Sequence, residues 1–367
     1  MRSSRKALLG LALTVAGTWA TRARAQQQAQ GFAVERFYPS APGGGWMVMD
    51  DLDMRGGLGG AVAVSSGYAH DPLRVTDGVQ HLNVVADQAS FDVGLAVTYD
   101  RFRLYLNMDN AMVGKGDSGT VGGYRFTAPS FDISTRPDSI ADWRIGFDAR
   151  LLGGPKEPFR LGVGAQLYVP NGDRGDVING TYQSDYLTDG TYRGMLRVLA
   201  AGNVGRFGYA GNVGIHIRPL DDSPTPGSPQ GSELLFGVAG GPRFPVDATG
   251  ETVVVVGPEI YGESALKSLL GKTSTGVEGL LTGRVEGTGD DGRQMQVKLG
   301  VGGGLDPYFG APEWRFVLAI TLFDHSTDRD NDGVFDSKDA CPDVPGVKSK
   351  DPSANGCPVN RAGHDVP

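Results

Sequence analysis

Residues 159–169 read FRLGVGAQLYV. Phe159, Leu161, Val163, Ala165, Leu167 and Val169 fall on one face of a strand, and Arg160, Gly162, Gly164, Gln166 and Tyr168 on the other. About eleven residues is what a tilted strand needs to cross a bilayer. The same two-residue period recurs along the chain. Candidate strands fall at 46–55, 59–69, 79–87, 91–99, 102–108, 142–151, 159–169, 192–202, 207–218, 232–244, 252–262, 276–286, 294–304 and 313–323. The first three are the weakest, so the count lies between twelve and fourteen.

The connections sort into two kinds. Those at 99–101, 153–158, 203–206, 245–251 and 287–293 are short; those at 109–141, 170–191, 219–231 and 263–275 are long and rich in Gly, Ser, Asp and Pro. Short and long alternate from Tyr99 to Thr275. Transmembrane barrels have this rhythm, with tight turns at one mouth and longer loops at the other. A soluble sandwich has the same alternating faces but no reason to alternate its loop lengths. Aromatics near the candidate strand ends, Trp143, Phe159, Tyr192, Phe207 and Trp314, fit interfacial girdles. The fold expected is all-β, a transmembrane up-and-down antiparallel barrel over 46–323, its apolar face toward outer-membrane lipid and its polar face toward a lumen.

The inward positions are mostly basic: Arg103, Arg144, Arg150, Arg160, Arg193, Arg197, Arg218, Arg284, Lys298 and Arg315, with Asp92, Asp148 and Glu278 the main acids. Rings of Arg or Lys favour anions in pores, so the expected function is a channel for small hydrophilic or anionic solutes. The alternative is a closed structural envelope barrel, its arginines paired with loop carboxylates and segment 109–141 folded inward.

Composition narrows the class. Glycine supplies 57 of 367 residues, about twice the usual ~7%, which disfavours long helices. Arg2, Arg5 and Lys6, an apolar run at 7–16 and Ala23-Arg24-Ala25 read as a signal peptide over 1–25. Removing that stretch, with its five basic residues, takes the formal net charge from −8 to −13, so no nucleic-acid partner is expected. Residues 26–45 read as a polar periplasmic lead. The two cysteines, Cys341 and Cys357, suggest one disulfide in an oxidising compartment.

The tail at 324–367 carries its own chemistry. Asp328, Asp330, Asp332, Asp336 and Asp339 stand at positions 1, 3, 5, 9 and 12 of a loop with Gly333 at 6. That is calcium-loop spacing, in which Val334 adds its backbone carbonyl. Calcium takes six to eight hard oxygens at about 2.3–2.6 Å, and it neutralises carboxylates that otherwise repel one another. An EF-hand is not expected, because a strand precedes the loop, Cys341-Pro342 follows it, and position 12 is Asp.

DRDNDGVFDSKDACP followed by PGVKSKDPSANGCP resembles a thrombospondin type 3 repeat. GFAVERFYPSAPGGGWMVMDDLDM and GSELLFGVAGG resemble long-barrel members of the OmpA family of outer-membrane proteins. The resemblance implies a Gram-negative outer membrane, with the tail a small irregular calcium-binding repeat in the periplasm near envelope components. It implies Ca2+ held by the five aspartates and a Cys341–Cys357 disulfide. Members usually continue into further repeats and a peptidoglycan-binding domain; this chain stops at Pro367 without a second acidic loop, so that anchor is expected to be lacking.

No catalytic constellation emerges. None of His70, His81, His216, His325 and His364 sits in a metal or hydrolase motif, and Leu266 stands where a phosphate loop ending Gly271-Lys272-Thr273 needs its first glycine. An enzyme is therefore not expected.

Overall fold

The structure is a computed structural model, and it describes residues 27–54, 57–132, 140–154, 157–178, 180–220, 228–246, 252–288, 293–306, 310–325, 330, 332, 334 and 338–358. The long strands are β1 (Leu58–Thr76), β2 (His81–Tyr99), β3 (Phe102–Lys115), β4 (Trp143–Leu152), β5 (Arg160–Val169) and β6 (Arg193–Val204). They continue with β7 (Phe207–Ile217), β8 (Glu233–Pro245), β9 (Thr252–Ala265), β10 (Thr275–Thr288), β11 (Arg293–Asp306) and β12 (Trp314–His325). Each pairs antiparallel with its neighbours in sequence. β12 pairs with β1 from Trp314↔His70 to His325↔Gly59, which closes a twelve-stranded barrel. Closure leaves no unpaired sheet edge, the condition for strands to span lipid.

The two-residue period sorts the side chains as anticipated. The middle of the apolar face of β5 is open, with Val163 40% and Leu167 44% exposed and Leu161 and Val169 half-buried, while Arg160 and Gln166 are buried. Trp143, Ile145 and Phe147 on β4 and Trp314, Phe316, Leu318 and Ile320 on β12 likewise point out. β4 has ten residues; at about 3.3 Å per residue and a tilt near 40°, it rises ~25 Å, the height of a barrel's lipid band. Outward-facing Tyr99, Phe102, Phe159 and Phe207 ring the short-turn end, and Trp143, Tyr192 and Trp314 the long-loop end.

Two sequence expectations change. Segments 79–87 and 91–99 are one strand, β2, of 19 residues. The polar run Gln88–Ser90 hides this in the sequence because it lies on the part of β2 that pairs with β1 near His70, level with the Trp314 girdle. There lipid no longer imposes alternation. Segment 46–55, expected as the first strand, is not one: residues 46–54 carry bends and loops. Gly43 at φ +80° and Leu52 at φ +57° turn the chain twice. At Gly45 a Cβ would fall 2.2 Å from Asp51 Oδ2 and 2.6 Å from Arg284 Nη1, so any larger residue must displace those side-chain ends.

The largest buried apolar cluster lies inside the ring. Phe37, Trp46, Met47, Val48 and Met49 pack against wall residues including Ala201, Ala239, Val255, Tyr261, Leu280 and Val317. Outside the barrel, Cys341 and Cys357 form a disulfide.

Candidate functional site

The N-terminal segment threads the barrel. Gln27 and Gln28 pair with Tyr124 and Arg125 of a small hairpin between β3 and β4, at the long-loop end. Ala33 donates its N–H to Asp189 in the loop before β6 (2.8 Å). At the opposite end, Arg150 near the close of β4 donates to the carbonyls of Leu52 (3.2 Å) and Met54 (2.7 Å). Residues 27–54 therefore fill the lumen from one mouth to the other. The lead expected in the periplasm lies inside the ring, and it, not 109–141, is the plug. The described part of 109–141 instead extends β3 and builds the small hairpin at the long-loop mouth.

Beyond Gln28 the segment has no ladder partner and must satisfy its backbone by other means. Its N–H groups find wall carboxylates. Glu259 on β9 accepts from the amides of Met47 (2.7 Å), Val48 (2.9 Å) and Met49 (3.1 Å), and from Thr282 Oγ1 (2.7 Å). Its carbonyls find wall cations. Lys298 donates to the oxygens of Gly44 (3.1 Å) and Trp46 (3.0 Å) and to Ser40 Oγ (3.2 Å). Arg144 donates to Pro39 O (2.6 Å) and Arg160 to Asp51 O (2.9 Å).

Charged pairs add three anchors along the segment. Asp50, with its side chain sealed from solvent, pairs with Arg103 (2.8 Å) and Arg197 (3.2 Å); both arginines also hold Asp148 on β4. Glu35 pairs with Arg315 (2.7 Å), which also holds Glu278 (2.6 Å). Arg36 pairs with Glu233 (3.1 Å) and Glu263 (2.9 Å).

All ten basic residues expected in the lumen are buried there: Arg103, Arg144, Arg150, Arg160, Arg193, Arg197, Arg218, Arg284, Lys298 and Arg315. Arg193 pairs with Asp142 (2.8 Å), and Arg218 with Asp189 (2.7 Å) and Glu233 (2.9 Å). Arg284 lies over the Trp46 ring at 5.2 Å and pairs with Glu286. Asp92, Asp148 and Glu278 are buried as well. The sequence reading missed Glu233, Glu259 and Glu263, the acids that hold the plug. Glu233 opens its strand, Glu263 sits in what reads as a loop, and Glu259 hides behind Pro258 in a valine-rich run. Cavities of about 40 and 50 Å3 lie between plug and wall among the described residues, room for a few waters.

At the outer anchor, burial alone would raise the carboxyl of loop residue Asp189. The charge and hydrogen bonds of Arg218 outweigh it and hold the group well below the usual carboxylate range.

In the tail, Asp330, Asp332 and Asp339 bring carboxylate oxygens within 4.8 Å of one another. Asp332 accepts from the amides of Val334 (2.7 Å) and Gly346 (2.8 Å), and Asp339 Oδ1 from Cys341 (2.7 Å). Asp328 and Asp336 lie outside the described residues.

No protein-family model matches the sequence, and no curated relative does. Solved structures do match. An outer membrane channel from Pseudomonas putida F1 is similar at 14% identity and TM-score 0.46, over 74% of this chain and 97% of that one. The NanC porin is similar at 7% and 0.40, over 71% and 98%. An anion-selective porin from Comamonas acidovorans is similar at 11% and 0.29, over 73% and 98%. Likeness this distant carries no functional argument.

Proposed function

We propose that the protein is an outer-membrane channel for small anionic solutes, held shut by residues 27–54. The observation that carries this is the chemistry of the lumen wall. Its cations are answered largely by groups the plug brings: the carboxylates of Glu35 and Asp50 and the carbonyls of Pro39, Gly44, Trp46, Asp51, Leu52 and Met54. When the plug leaves, Arg103, Arg197, Arg315 and Lys298 lose those partners and face water. A solute carrying carboxylate or phosphate oxygens offers the same acceptors. The chain then serves as a conduit rather than an enzyme.

Planar-bilayer recording of the refolded protein tests this. The expected record is mostly closed, with rare openings whose reversal potential in a salt gradient shows anion preference. Cation preference, or no openings even after the plug anchors are removed, overturns it. A second reading, a permanently closed structural barrel, draws on the apolar packing of Trp46, Met47, Val48 and Met49 against the wall, and the same recording separates the two.

For the tail we propose a periplasmic calcium site of the thrombospondin type 3 kind, built by Asp328, Asp330, Asp332, Val334, Asp336 and Asp339. Two observations support the fit. Three of these carboxylates converge, and Asp339 Oδ2 is buried with no hydrogen-bond partner among the described residues. Calcium would supply charge neutralisation there, and the disulfide closes the loop that follows. Even strand number sets both ends of the barrel wall at the short-turn mouth, which in this family of folds faces the periplasm.

A further inference from the structure

At the long-loop mouth β1 and β2 run beyond the Trp314 girdle, and their register breaks between His70 and Leu73. Asp71 sits in that break at φ +51°. It is 6% exposed. Its Oδ2 accepts from Asn83 Nδ2 (3.0 Å), while Oδ1 is buried with no hydrogen-bond partner among the described residues. A buried acceptor left this way is costly.

His70, next to it, is already oriented. Its Nδ1 lies 3.2 Å from Asp87 Oδ1, which also accepts from the Tyr68 hydroxyl. Its ring lies against Trp314, centroids 5.7 Å apart. With the Nδ1 proton given to Asp87, Nε2 presents a lone pair toward Asp71 Oδ2, 3.7 Å away. Two acceptors then face each other with no donor between them. Glu313, whose amide donates to His70 O (2.8 Å), adds a second carboxylate. Ligand atoms of His70, Asp71 and Glu313 lie within 4.8 Å of one another. Arg74 holds only Oε1 of Glu313 (2.7 Å).

We propose that His70, Asp71 and Glu313 bind a divalent zinc-type ion at the long-loop rim. One imidazole and two carboxylates with a fourth position left to water make a zinc donor set. The Asp87–His70 contact is the outer-shell bond that fixes the tautomer of a metal-binding histidine. The ion would satisfy Asp71 and remove the acceptor–acceptor clash. It would also fasten the β1 break to residues 310–313, already joined by Gly310 N–H to Pro72 O (2.9 Å). That segment abuts the plug: a Cβ on Gly310 would fall 2.5 Å from Val34 O and 2.7 Å from Arg36 Cγ. A metal here braces the rim against the outer end of the plug.

The test uses the full chain refolded in detergent, with millimolar Ca2+ present to occupy the tail. Co2+ is added and followed by its visible absorption, then displaced by Zn2+, with Zn2+ stoichiometry measured by calorimetry. The expected result is one Zn2+ per chain and a tetrahedral Co2+ band that Zn2+ abolishes. His70→Ala and Asp71→Asn should each lose that equivalent, and Glu313→Gln should weaken it at least tenfold. Glu313 is half-exposed, so its variant folds and decides the matter even where Asp71→Asn does not. No Zn2+-displaceable band, or binding unchanged in both His70→Ala and Glu313→Gln, overturns the proposal. Conductance does not enter, so failure here leaves the channel reading as it stands.

Discussion

Replacing Asp50 with alanine removes one carboxylate that two guanidiniums share. In the wild type that carboxylate is sealed from solvent, 2.8 Å from Arg103 and 3.2 Å from Arg197, and accepts the amide of Ala41 at 3.1 Å. Truncating one side of a buried ion pair costs about 3–5 kcal/mol, because the surviving charge is left uncompensated. Here both arginines keep Asp148, at 2.7 and 3.0 Å, so the lower figure applies. All of it falls on the closed state, since an expelled plug leaves Arg103 and Arg197 in the same wall whether or not residue 50 carries a charge. About 3 kcal/mol at 1.4 kcal/mol per tenfold predicts that the closed-to-open constant drops roughly 100-fold. Single-channel recording at matched salt gives the ratio directly, and far-UV circular dichroism confirms an intact barrel. An open probability within threefold of wild type, in a variant shown to be folded, would refute the idea that charge pairing holds the plug.

Other outcomes follow from the same geometry. Gly31→Ala should raise open probability with no loss of barrel strand content, because a Cβ there would fall 2.0 Å from the backbone oxygen of Arg174 and 1.8 Å from Ser184 Oγ; accessibility of the outer end to a protease reads this out. Asp189 titrates below its unfolded value of about 3.9, so the stability it lends the outer anchor is complete above that pH and disappears only as pH falls through the lower folded value. Wild-type and Asp189→Asn recordings should therefore keep a constant ratio between pH 7 and 5, and a ratio that collapses within that window counts against this anchor. Calcium should protect residues 324–360 from proteolysis, and Asp332→Ala should abolish that protection while leaving conductance unchanged; equal digestion with and without calcium rejects the tail site.

The wall of the barrel was legible because lipid forces a period of two on every residue it touches. The inward arginines were legible for the same reason, as the other half of that period. The plug was not, because a segment that satisfies its backbone with side chains from β4, β5, β9, β11 and the loops imposes no period of its own. WMVMDDLDM even imitates a strand, since Trp46, Val48 and Asp50 alternate with Met47, Met49 and Asp51. The trace it did leave is indirect. A wall with ten cations and few visible acids requires opposite charge from somewhere, and Glu35 stands before the first glycine-rich turn with Asp50, Asp51 and Asp53 just after it. Charge balance across the chain, rather than local pattern, was the signal available for this segment, and the sequence reading assigned the plug to 109–141 instead.

The segment's two ends lie at opposite mouths. At the short-turn mouth it runs into β1 within four residues of Met54; at the other Gln27 and Gln28 pair with the small hairpin. The arrangement is a rotaxane, the ring closed around an axle that is covalently part of it. Whatever the chain carries ahead of Gln27 must pass through the ring before the axle can leave toward its tether, so folded bulk there would act as a stopper and lock the ring.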